Sequence, residues 1–131
     1  MKKGIFIAIA LIVLVIVLRP FARDYIDLIN YNREIEDLQI TSPILEGVED
    51  GEYHGEYQIY AIEARVWVRV QSGEIIEIDL EHEHERGYNA EEIIGRVIDN
   101  QTLEVDVVTG STHSSKVILK AIERALCQGD C

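Results

Sequence analysis

The densest group of chemically useful side chains is the run Asp106-Val107-Val108-Thr109-Gly110-Ser111-Thr112-His113-Ser114-Ser115. It offers five hydroxyls, a carboxylate, an imidazole and one glycine. The run lies between a short apolar segment and the start of a helical pattern. Hydroxyls, a flexible glycine and the N–H groups of a first helical turn suit a phosphate group, because a helix N-terminus carries partial positive charge. The plainer reading of the same residues is a helix cap, the commonest use of Ser and Thr ahead of a helix. A second cluster, His82 and His84 among Glu81, Glu83 and Glu85, could take a metal from one strand face. Two histidines without a fixed third ligand are nonspecific, and His82 equally reads as a core residue with the glutamates as a solvated edge. Cys127 and Cys131 are spaced C-x-x-x-C; they can pair with each other or between chains in an oxidising compartment, or form a redox-active dithiol.

These groups must be held by a small α+β domain, an antiparallel sheet packed with two helices. Glu63 to Val70 alternates, with Ala64, Val66, Val68 and Val70 on one face. Gln71-Ser72-Gly73 reads as a three-residue turn, and Glu74 to His82 as the returning strand. That register sets Val68 against Ile76, Val66 against Ile78, Arg65 against Asp79 and Trp67 against Glu77. Asn89 is the expected cap of a helix whose buried face is Ile93, Ile94, Val97 and Ile98. Leu103 to Val108 reads as a short strand. A last helix runs from Ser115 to Leu126, with Ile118, Ala121, Ile122 and Ala125 on one side.

The N-terminus has a different character. Lys2 and Lys3 precede an unbroken apolar run, Gly4 to Leu18. Fifteen helical residues rise about 22 Å against a hydrocarbon core of about 30 Å, so the run is short but can span the lipid bilayer upright. A cleaved signal peptide is the rival; the Arg19-Pro20 pair beside the only candidate cut argues against it. The expected domains are thus an anchor over 1–22, a stalk helix and linker over 23–47, and a folded domain over 48–131. The leading lysines favour a cytoplasmic N-terminus, with the domain outside the cytoplasm at a cell surface or in a periplasm.

The chain has 131 residues, 24 acids and 12 bases, for a net charge of -12. Residues 1–45 hold five of each, so the whole excess lies in 46–131. Nucleic acid is a poor partner for such a domain, since phosphate backbones need clustered Lys and Arg. No Walker loop, G-x-G-x-x-G, G-x-S-x-G or H-E-x-x-H motif is present.

Asp106 to Thr112 reads D-x-x-T-G-S-T, which resembles the D-x-x-[ST]-G-A-[ST] motif of the FMN-binding domain family. That family includes the flavin-carrying subunits of the Rnf and sodium-pumping NADH:quinone oxidoreductase complexes. Asp50-Gly-Glu-Tyr-His-Gly55 looks like its opening D-G-x-Y-x-G, and Gly73 to Ile78 like its G-x-I-x-x-I strand. Ser114-Ser115, Ala121-Ile122 and Ala125-Leu126 look like its closing segments. The His-Glu-Thr-Pro-Gly stretch of the complex-bound relatives is replaced by Glu83 to Gly87, which points to a small stand-alone member. The resemblance implies that a flavin transferase joins FMN through a phosphoester to Thr112. The cofactor-binding segment would comprise Asp106, Thr109, Gly110, Ser111, Thr112, Ser114 and Ser115, with no catalytic residue and no metal. Ser111 stands where Ala is usual and is a competing hydroxyl. The implied role is a membrane-anchored electron carrier, rather than an enzyme, fed by a membrane redox partner protein. The flavin-free alternative is a binding or assembly domain in which the T-G-S-T segment is only a cap.

An acidic surface opposes the extra negative charge of a reduced flavin. The reduction potential is therefore expected to lie below that of free FMN; a redox titration placing it at or above that value would contradict this.

Overall fold

The computed structural model describes residues 1–83 and 89–128, and of Glu83 the backbone only. The chain divides into two compact units, Met1–Asp37 and Leu38–Cys131. The first is one helix, α1 (Lys2–Asp37), with Pro20 in its interior. The apolar run and the segment expected as a stalk are thus continuous. At 1.5 Å per residue α1 extends about 54 Å, more than a hydrocarbon core of about 30 Å. Residues 4–18 are exposed all round the helix. A helix apolar on every side and covered by no protein suits lipid, and α1 is long and apolar enough to cross a membrane.

The second unit has the expected α+β architecture. Three antiparallel strands, β1 (Gly51–Ile59), β2 (Ile62–Gln71) and β3 (Glu74–Glu83), pair in sequence order. Two helices follow, α2 (Glu92–Asn100) and α3 (Thr112–Cys127). One sheet face carries Tyr57, Ile59, Ile62, Ala64, Val66, Val68, Val70, Ile75 and Ile78, all buried. Helix α3 packs on β1 and β2, and α2 meets β3 and α3. The buried faces of the helices are Ile93 and Val97 on α2, and Ile118, Ala121, Ile122 and Ala125 on α3. The outward face carries charged pairs: Arg65 lies between Glu56 at 3.9 Å and Glu81 at 3.5 Å, and Arg69 pairs with Glu52 and Glu77.

The β2–β3 hairpin exists, but its register differs from the expected one. The turn is two residues, Ser72 and Gly73, with φ of 52° and 74°, so Gln71 faces Glu74 and Val70 faces Ile75. Positive φ at both central residues matches the twist of the flanking strands. A bulge beside Arg69 and Val70 then shifts the pairing. Arg69 faces Glu77, Val68 faces Ile78, Trp67 faces Asp79, Val66 faces Leu80 and Arg65 faces Glu81. The extra residue is Ile76, which is left 45% exposed while Ile75 enters the core. A bulge reverses the alternation locally, and strict period-two reading cannot register it.

Three further expectations need correction. Leu103 to Val108 is not a strand; it crosses between the helices as irregular chain. Asn89 does not cap α2: the N-cap is Glu91, and it makes no side-chain cap hydrogen bond. Helix α3 begins at Thr112, three residues before the expected Ser115.

The seat of α3 on the sheet is unusually close. A Cβ placed on Gly55 would lie 2.5 Å from the Ala125 nitrogen and nearer still to the Ala121 carbonyl oxygen. Both obstacles are backbone, so neither can swing aside. The closing glycine of the D-G-E-Y-H-G segment is therefore there for packing. Gly55→Ala is expected to destabilise the folded unit by about 3 kcal/mol, because backbone must shift to admit the methyl. Thermal unfolding of the full chain in detergent checks this, and an unchanged midpoint would refute it.

Candidate functional site

The hydroxyl-rich run spans the entry to α3. Val107 and Val108 lead in, Thr109 and Gly110 form a turn, and Ser111 is the N-cap. The turn closes when the Ser111 N–H donates to the Val108 carbonyl at 2.9 Å. Gly110 adopts φ +81°, a region that costs a side chain strain but glycine nothing. Nothing lies within 4 Å of the place its Cβ would occupy. Thr112 is the first helical residue and is exposed. The first N–H groups of a helix have no carbonyl within the helix to bond, and the dipole of a 16-residue helix adds partial positive charge there.

Burial sorts the hydroxyls. Thr109 and Thr112 are exposed, whereas Ser111 is 9% exposed, Ser114 1% and Ser115 0%. The competing hydroxyl of Ser111 is thus shielded where that of Thr112 is open. Ser111 holds the N-cap position, yet its side chain makes no cap hydrogen bond. Ser115 is fully committed to structure: its Oγ accepts the Val108 N–H at 3.1 Å in the interior. Asp106 points its carboxylate outward, and its backbone carbonyl is the engaged group.

Two residues shape this site without having been singled out in the sequence. Arg96, on α2, donates from Nη1 to the carbonyls of Asp106 at 2.7 Å and Val107 at 3.1 Å. One clue was legible: Arg96 is the sole Lys or Arg between residues 87 and 115. Gln101 ends α2 in the left-handed conformation. Its side-chain amide accepts the Ile75 N–H at 2.7 Å and donates to the Ile75 carbonyl at 2.9 Å. It thereby occupies the β3 edge beside the bulge, where a further strand would have paired.

The aromatic side chains and the histidine and cysteine candidates are dispersed. Tyr57 is buried under the Arg124 guanidinium, which sits 4.6 Å from its ring centroid. Trp67 lies on the open sheet face, 5.1 Å from the His54 ring, and Tyr60 is an exposed turn residue. Tyr53 donates its hydroxyl hydrogen to the Glu49 carbonyl. The side chain of His82 is 4% exposed, with Nδ1 3.7 Å from a Glu91 oxygen. His84 and the rest of the 84–88 segment lie outside the described residues. Among the described residues no group of three metal-ligating side chains forms. Cys127 is disulfide-bonded; Cys131, the chain's other cysteine, lies outside the described residues.

With this geometry in view, comparison with known families is decisive. The model of the FMN-binding domain matches residues 60–127, more than half of the chain. The chain belongs to the FMN-binding domain family. The match covers β2, β3, both later helices and the whole hydroxyl-rich run. No curated protein matches the chain.

The residues around Thr112 fit a phosphate-linked flavin. An open hydroxyl stands on a helix N-terminus, and nearby Gly110 faces open space. The buried and exposed hydroxyls are expected to separate in their effect on stability. Ser115→Ala should cost about 1–3 kcal/mol, since it leaves the Val108 N–H buried without its acceptor. Thr112→Val should stay within about 0.5 kcal/mol, as befits an exposed position. Chemical denaturation of both variants checks the contrast, and equal effects would contradict it.

Proposed function

We propose that this protein is a membrane-anchored flavoprotein that carries electrons outside the cytoplasm, with FMN joined covalently to Thr112. The observation that carries the reading is the placement of Thr112. Of the motif's two exposed hydroxyls, Thr109 and Thr112, it is the one on the first residue of a long helix, inside the family match. A phosphodiester retains one negative charge, which the N-terminus of α3 accommodates. The Thr112 oxygen would bond to the FMN phosphorus of FAD as the pyrophosphate bond breaks. AMP is the leaving group, and the hydroxyl proton passes to a base of the flavin transferase. Bound FMN supplies one- and two-electron redox chemistry; the chain's own residues hold it at the surface and set its surroundings.

Two features support the anchored, extracytoplasmic placement. Helix α1 is long and apolar enough to cross a bilayer, and Lys2 and Lys3 precede its apolar run, a pattern that favours a cytoplasmic N-terminus. The disulfide at Cys127 suits an oxidising compartment. A covalent tether prevents loss of the flavin by dilution and keeps it concentrated near its redox partner at the membrane.

The test is the intact mass of the full chain after co-expression with a flavin transferase of proven activity. The expected gain is FMN less one water, lost in Thr112→Val and kept in Ser111→Ala. An unmodified wild-type chain would sink the carrier reading and leave a flavin-free binding domain.

A further inference from the structure

We infer that Arg96 is a positioning residue for the flavin acceptor segment: it holds the backbone before Thr112 in the one conformation a transferase can engage. The inference rests on the reading of Thr112 as acceptor. Its starting point is the pair of hydrogen bonds from a single nitrogen, Nη1, to two successive carbonyls, those of Asp106 and Val107. In an extended strand successive carbonyls point to opposite sides. Both can reach one nitrogen only if the chain leaves the extended conformation at that point. The two bonds thus match the irregular course of Leu103 to Val108, which forms no strand despite its apolar alternation.

The bracing continues downstream. The next residue, Val108, donates its N–H to Ser115 Oγ and accepts the Ser111 N–H on its carbonyl. The backbone is thus held at Asp106 and Val107 by α2 through Arg96, and at Val108 by α3 through Ser115. Thr109 and Gly110 form the turn between Val108 and Ser111, with the positive φ at Gly110. Without the upstream clamp the segment samples other conformations. A transferase that binds only one of them then meets a smaller competent fraction, so the apparent affinity falls by that fraction while turnover of the bound acceptor is unchanged.

The experiment measures initial rates of FMN incorporation into the full chain in detergent, using a purified flavin transferase, FAD and Mg²⁺ over a range of acceptor concentrations. Arg96→Ala is expected to raise KM for the acceptor about tenfold with kcat within about twofold of wild type. Arg96→Lys should recover most of the loss. Hydrogen exchange should quicken in residues 104–111 of Arg96→Ala and stay unchanged in residues 117–126. An unchanged KM would overturn the inference, as would a loss confined to kcat. If Arg96→Ala does not fold, Arg96→Gln and Arg96→Lys carry the same test. Equal losses in both, with faster exchange throughout β2 and α3, would mark Arg96 as merely structural. A wild-type chain left unlabelled at Thr112 would defeat the acceptor reading itself; labelled wild type with unaffected variants would defeat only the role of Arg96.

Discussion

Helix α3 can lie where it does only because Gly55 has no side chain. The strand backbone and the helix backbone come close enough that a single methyl would strike the Ala121 carbonyl and the Ala125 nitrogen. Small residues on the helix complete the fit, with Ala121 and Ala125 both fully buried. Close approach lets the flanking Ile118 and Ile122 reach the β1–β2 surface and be buried in turn. The position of α3 also decides where its first residue stands. A contact in the core, a turn or more from Thr112, therefore sets the place of the candidate acceptor.

The site itself is a piece of irregular chain given the order of a regular element. The stretch from Leu103 to Val108 has no strand neighbour, and its polar backbone groups are met by side chains instead. The Leu103 N–H donates to Ser42 Oγ at 3.0 Å, and the Glu104 N–H to Thr102 Oγ1 at 3.1 Å. Arg96 and Ser115 complete the series. Such an arrangement leaves the segment accessible from outside, which a paired strand would not, while keeping its shape. The segment ahead of the sheet is tied down in the same manner: Glu123 accepts the Thr41 N–H, and Lys120 donates to the Gln39 carbonyl.

The polarity of α3 separates two kinds of chemistry. The candidate acceptor is at its N-terminus and the disulfide-bonded Cys127 at its C-terminus. Sixteen residues at 1.5 Å each put the ends about 24 Å apart. The dipole leaves partial positive charge at the first end. The disulfide belongs to the other end and is too distant to share a site with it.

Much of this was legible from residue order alone. The apolar run of α1, the alternation of β2, the helical spacing of α2 and α3 and the hydroxyl motif are local patterns, and local patterns report local structure. The family was legible for the same reason, since its signature lies in short segments. The bulge that exposes Ile76, the loss of the strand before Val108 and the early start of α3 were not. The first two lie beside partners farther along the chain, Gln101 at the β3 edge and Arg96 on the two carbonyls, while the third follows a short turn closed by Val108 and Ser111. Sequence determined which hydroxyls were available. Tertiary structure decided which of them are open, because burial of Ser111, Ser114 and Ser115 against exposure of Thr109 and Thr112 follows from how α3 is seated, and no spacing within the motif encodes that.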